Sequence, residues 1–222
     1  MPTQTWRNLE AGKRELITRE ALIEFAQHSY AQASITALVR RLGIAKGSVY
    51  QYFADKEDLY VMLVRVAHER VHSALRSRIP LALYHEADVF VLLRRYFAEA
   101  VSVALDYPIE SALIQRSYTD VGPASDVVRA LAERIQRSFV EEIITSAVQS
   151  HTIRADVDMH VMVFVLESLF ARIIPYIQTH ITPHTSATEE AVKQSASQIV
   201  IFFDQLIAVL DQGLRTPQHG RK

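Results

Sequence analysis

Cysteine is absent from this chain of 222 residues, which removes disulfides and thiolate metal sites from consideration. Glycine is scarce, at 6 residues, and alternating β-branched patterns are few, so the composition points to an all-α fold. The first ten residues, MPTQTWRNLE, lack the apolar core of a signal peptide. The most apolar segment, Met159 to Ile174, is interrupted by Glu167 and Arg172 and followed by Pro175, so no uncharged span long enough for a membrane helix is expected. These absences together predict a cytoplasmic protein without a membrane partner. Internal repeats and low-complexity segments are missing as well.

Acidic residues are missing from one window in particular. No Asp or Glu occurs between Glu24 and Asp55, whereas Arg40, Arg41 and Lys46 do, with Lys56 just beyond. The whole chain hides this patch, because 24 Lys+Arg against 25 Asp+Glu leave a net charge of −1. A polyelectrolyte responds to the local patch more than to the sum.

Inside that window the apolar residues are spaced for two short helices. Ile35, Leu38, Val39 and Leu42 fall at i, i+3, i+4 and i+7, one stripe of an amphipathic helix. Ser34 stands where an N-cap hydroxyl accepts from the first free amides, and Gly43 stands where a left-handed residue closes the helix. After the turn Gly43 to Ala45, a second helix is expected to turn Ala45, Val49, Tyr52 and Phe53 inward. Lys46, Gly47, Ser48, Tyr50 and Gln51 are then left mostly outward. A cation, a residue without a side chain and a hydroxyl in one turn suit close approach to base edges and phosphates, so the pair is predicted to be a DNA-reading helix-turn-helix. Asp55 is expected to cap the next helix, and Lys56 in its first turn opposes the helix dipole. A DNA phosphate at that terminus would compensate it; a solvated mixture with Glu57 and Asp58 is the plainer alternative.

These residues resemble the TetR/AcrR family of transcriptional regulators. The likeness runs from Lys13 to Leu63: a first helix with Ile17, Ala21, Leu22 and Phe25 on one face, the opening Ser34-Ile35-Thr36, the core LGIAKGSVYQYF from Leu42 to Phe53, and the lysine at 56. One departure is Ser29 before Tyr30, where the family often has glycine. The resemblance implies a helix-turn-helix domain over residues 1–58 joined by a helix to a helical effector-binding and dimerisation domain over residues 59–222. It implies that Ser34 and Thr36 hold phosphates, that Lys46, Gly47, Ser48 and Gln51 read or approach the major groove of double-stranded DNA, and that Tyr50, Tyr52 and Lys56 clamp the backbone. Arg40 is a further candidate contact.

Breakers divide the remainder into helices expected over 59–79, 86–106, 109–120, 125–150, 157–180 and 189–214, ahead of a polar tail. The last two are apolar on several sides and need two burial partners. The resemblance implies that they pair with their copies across a two-fold axis, with Phe164, Leu169, Ile173, Ile199, Phe202, Phe203, Leu206 and Leu210 at the interface. Such a homodimer would place two reading helices on a palindromic operator.

The resemblance also implies a small-molecule effector, expected here to carry a substantial apolar part, that releases a repressor from its operator by favouring the non-binding arrangement. Candidate liners are polar or aromatic residues set in apolar helices: His72, Tyr96, Phe97, Gln115, Arg116, Tyr118, Phe139, Phe164 and Arg172. One motif competes: His68-Glu69-Arg70-Val71-His72 has the H-E-x-x-H spacing of zinc proteases, so a helical metal-dependent enzyme using His68, Glu69 and His72 is the alternative. Two ordinary histidines satisfy the same pattern. No cofactor, resident metal or catalytic residue is expected on the regulator hypothesis.

Overall fold

The computed structural model describes residues 2–80, 88–119, 122, 125–149, 151–180 and 189–215. Among these the chain forms ten helices: α1 (Gln4–Arg7), α2 (Ala11–Gln27), α3 (Ile35–Leu42), α4 (Lys46–Tyr52), α5 (Lys56–Arg78), α6 (Val89–Asp106), α7 (Pro108–Thr119), α8 (Ser125–Gln149), α9 (Met159–His180) and α10 (Glu189–Leu214). The described residues contain no strand, only an isolated bridge between Ile153 and Arg215. The fold is all-α.

Helix starts follow local chemistry. Asp55 accepts from the Asp58 amide at 2.7 Å and Asp58 bonds the Ala54 amide in return, so α5 begins at Lys56 rather than at the first apolar residue, Leu59. α7 begins on Pro108 itself, because a proline in the first position gives up no hydrogen bond the helix would have made. α1 has no counterpart among the helices expected from sequence, since one turn carries no periodicity.

The chain divides into two compact units, Met1–Ser73 with Asp106–Ile135, and Ala74–Leu105 with Gln136–Lys222. The core of the first gathers the predicted stripes of α2 and α3 around Phe53, Leu59, Tyr60 and Leu63 of the following segment. Leu113 of α7 and Val128 of α8 complete it, both fully buried. Two polar devices hold α7 there. Arg116 donates to the Ala26 and Gln27 carbonyls at the end of α2 (2.8 and 3.4 Å), and Arg70 of α5 bridges Glu15 and Glu110 (2.7 and 3.0 Å). After α7, Gly122 passes so close to the Tyr30 ring that a Cβ would come within 2.7 Å of it.

In the second unit α6 contributes Phe90, Leu93 and Phe97, α9 contributes Met162, Leu166 and Ile177, and α10 contributes Phe203 and Ile207. Phe97 and Phe203 stack at 5.4 Å with nearly parallel rings. Arg215 joins Asp88 at 2.6 Å, pairs with Asp211, and lies over the Phe90 ring.

Among the described residues one stretch, Ser197–Leu214 in α10, is long and apolar enough by composition to cross a membrane, but it is not uncharged. It carries Asp204 and Asp211. Both acids are ion-paired within the second unit, Asp204 with Arg94 at 3.4 Å and Asp211 with Arg215.

Candidate nucleic-acid interface

α3 shows the anatomy its spacing predicts. Ile35, Leu38 and Val39 are buried, Ser34 Oγ accepts from the Ala37 amide at 3.2 Å, and Gly43 closes the helix at φ 64°, ψ 28°. The Ile44 amide then reaches back to the Val39 carbonyl at 3.1 Å, so the turn into α4 is fixed by backbone bonds that only a left-handed residue at 43 permits.

α4 buries Val49 and Tyr52 on Phe53 and the α2–α3 core, and turns Lys46, Gly47, Tyr50 and Gln51 to solvent; Ser48 is half-buried. Tyr50 keeps 47% of its surface exposed, high for an aromatic side chain. Ala45 is not inward as expected. It is the N-cap, its backbone is extended (φ −69°, ψ 144°), and the residue therefore leaves the helical register and stands exposed. A Cβ on Gly47 would meet nothing within 4 Å, so packing does not require glycine there.

The basic window is narrower in space than in sequence. Arg41 is spent on an ion pair with Glu24 at 2.6 Å and on Glu20 at 3.4 Å. Glu24 itself is 2% exposed and also accepts from the Ser34 amide at 2.8 Å. Burial pushes its carboxyl up, but the Ser34 amide and the Arg41 guanidinium outweigh that and hold it below the ordinary range. Glu24 thus ties α2 to both ends of α3. It escaped sequence inspection because its partners lie ten and seventeen residues away.

Lys56 also has protein partners. Its ammonium lies over the Tyr30 ring at 4.7 Å and donates to the Ala31 carbonyl at 3.4 Å, so the charge that opposes the α5 dipole is compensated at least in part within the domain. Burial holds its pKa below the usual lysine value. Arg40 and Lys46 are exposed and form no ion pair among the described residues. Thr36 is exposed in the first turn of α3, Ser34 is half-buried, and Tyr52 is buried with its ring 5.8 Å from Trp6. Ser34, Thr36 and Arg40 on α3 therefore share one small domain with the outward residues of α4.

The expected effector liners are divided between the two units. Tyr96 and Phe97 meet in an aromatic cluster with Phe170 in the second unit. His72, Gln115, Arg116 and Tyr118 belong to the first unit, where Arg116 caps α2 and burial pushes the Tyr118 hydroxyl up to about 12. Phe164 and Arg172 are exposed, and the Phe139 side chain lies outside the described residues. Of the residues expected to face a partner, Ile173, Phe203 and Leu210 are buried within the protomer. Leu169, Ile199, Phe202 and Leu206 are half-buried, and Phe164 is 69% exposed. Val161, Val200, Ile201 and Val209 are exposed beside them, a set the sequence could not separate from the core because both helices are apolar on several sides.

The metal-dependent alternative finds no support. His68 is 4% exposed and stacked on His72 at 6.0 Å, Glu69 is turned to solvent, and the described residues contain no group of three or more His, Cys, Asp or Glu able to hold a metal. Burial brings the His68 imidazole down to about 4, which leaves it neutral.

Residues 17–63 match the profile described as bacterial regulatory proteins, tetR family. The chain is 24% identical over 178 residues to the HTH-type transcriptional repressor Rv1474c of Mycobacterium tuberculosis, a match covering 78% of this chain and 88% of that protein. Over 63 residues it is 30% identical to the HTH-type transcriptional repressor AcnR of Corynebacterium glutamicum, covering 26% and 34% of the two chains. Among solved structures, a TetR family transcriptional regulator from Chloroflexus aurantiacus superposes with a TM-score of 0.68 at 25% identity, over 98% of this chain and all of that one.

Proposed function

We propose that this chain, which belongs to the TetR family of transcriptional regulators, is a cytoplasmic repressor that occupies a palindromic operator as a homodimer until a partly apolar small molecule releases it. The observation that carries the DNA-reading role is the surface of α4. Seven residues present an unpaired cation, an uncovered glycine, an exposed tyrosine and a glutamine side by side, on a helix whose inner face is fixed by the core. Glycine in the first turn of so short a helix costs it about 1 kcal/mol relative to alanine, and no packing need repays that. Close approach of a second backbone, that of DNA, does.

In this assignment Lys46, Gly47, Ser48 and Gln51 read or approach base edges, and Ser34, Thr36, Arg40, Tyr50 and Lys56 hold phosphates. Tyr52, buried against Trp6, is the least accessible of the expected backbone clamps. Residues 1–58 carry DNA reading, and residues 59–222 carry effector binding and dimerisation. The dimer reading rests on the exposed Val161, Phe164, Val200, Ile201 and Val209, apolar side chains on two long helices that water covers in a lone protomer.

The test is a mobility shift of the full chain on the DNA upstream of its own gene, across a salt series, beside a Lys46→Ala/Tyr50→Ala variant. Selective, salt-sensitive binding that the variant loses supports the proposal. Binding that is unselective, or indifferent to both residues, overturns it.

A further inference from the structure

The reading helix is poorly provided for by its own sequence. α4 has two turns, no side-chain N-cap and a glycine in its first turn, so in isolation it would not hold its shape. Its last carbonyls, like those of any helix, need donors from elsewhere.

They find them before the start of the matched family segment. The Thr3 amide donates to the Tyr52 carbonyl at 2.9 Å, and the Thr3 hydroxyl donates to the Gln51 carbonyl at 2.7 Å. The same hydroxyl accepts from the Trp6 amide at 3.3 Å as the N-cap of α1. Trp6 is buried and lays its ring against Phe53 and Tyr52, at 4.8 and 5.8 Å. The Arg14 side chain on α2 holds the far end of α1 through the Arg7 carbonyl at 3.1 Å. Residues 3–7 thus form a strap from α2 to the C-terminal end of α4, and Thr3 caps that end twice.

We infer that Thr3, seated by Trp6, is a positioning residue for sequence-specific DNA recognition: it sets the placement of α4 in the groove without touching DNA. The inference rests on the DNA-reading role proposed above. Base-edge contacts depend on bidentate geometry and lose most from a small displacement, whereas phosphate contacts carry affinity without sequence information. Loosening the strap should therefore erode discrimination before it erodes binding.

The experiment uses the full-length protein with Thr3, with Thr3→Ala and with Thr3→Ser. Each is titrated by fluorescence anisotropy onto a labelled fragment that the unaltered protein selects and onto a shuffled copy of that fragment, over a range of salt. Thr3→Ala should lower the preference for the selected fragment about fivefold, the worth of one hydrogen bond, with affinity for the shuffled copy unchanged. The slope of log affinity against log salt should also hold, Thr3→Ser should restore the preference, and emission from Trp6, the only tryptophan, should shift red in Thr3→Ala. An unchanged preference overturns the inference. So does an equal loss on both DNAs that tracks the thermal midpoint, which would make the strap merely structural. A slope reduced by about one would also overturn it, by making Thr3 a phosphate contact. If the unaltered protein selects no fragment, the regulator proposal itself has failed; selection that survives Thr3→Ala sinks the strap alone.

Discussion

α3 and α10 are both helices with strong apolar content, yet they spend it differently. α3 has a single stripe, and nearly all of it is inside, leaving a polar outer face. α10 buries Phe203, Ile207 and Leu210 but leaves Val200, Ile201 and Val209 in water. A single stripe calls for one burial partner, and the chain supplies it. Apolar surface on several sides calls for a second partner that a lone protomer does not contain, which is the physical basis for proposing a dimer.

Apolar truncation is the strongest way to break this contrast. Leu38→Ala, in the α3 core, should destabilise the first unit by about 2 to 5 kcal/mol in chemical denaturation. Phe164→Ala should change stability by no more than about 0.5 kcal/mol at concentrations below association, since it is exposed. It should instead weaken self-association in sedimentation. Equal losses of stability from the two would mean that the exposed surface is not reserved for a partner.

Acid separates two buried groups of the first unit. His68 titrates near 6.5 when unfolded and near 4 when folded, so above pH 6.5 it is neutral in both states and has no effect. As pH falls from 6.5 to 4 the unfolded state takes up the proton first, and about 3 kcal/mol of stability is withdrawn. His68→Leu should flatten urea midpoints across that range; a slope that persists in the variant would assign it to another group. Glu24 acts lower. Its folded carboxyl lies below the ordinary value, so its contribution is whole above about pH 4.5 and is lost as pH falls through the folded value. Glu24→Gln should cost about 1 to 3 kcal/mol at neutral pH and remove the acid loss that sets in below the ordinary carboxylate value.

The smallest effect is the most pointed. Gly47→Ala fills open space on a short helix and should raise stability by up to about 1 kcal/mol. It should at the same time weaken selective DNA binding. A variant that is both more stable and equally selective would remove the reason given for glycine at that position.

What was legible in the sequence was local. The α3 stripe, its Ser34 and Gly43 ends and the Asp55 cap lie within a few residues of the structure they specify, and each is found where its chemistry predicts. What escaped depends on distant partners: Glu24 with Arg41, Arg116 with the end of α2, Thr3 with Gln51 and Tyr52. α1 escaped because one turn has no period. The inner and outer faces of α9 and α10 escaped because apolar residues surround both helices, and only packing decides which of them water reaches.

The place of α7 beside α2 bears on modular exchange between regulators. Residues 1–58 look like a portable reading head, and a chimera cut there would carry the helix-turn-helix. It would leave behind Leu113 and Val128 from the middle of that head's own core, the Arg116 cap on α2 and the glycine that makes room for Tyr30. A transplant that keeps its specificity has to be discontinuous. It must bring the 106–135 segment along, so the recipient regulator must accept two grafts instead of one.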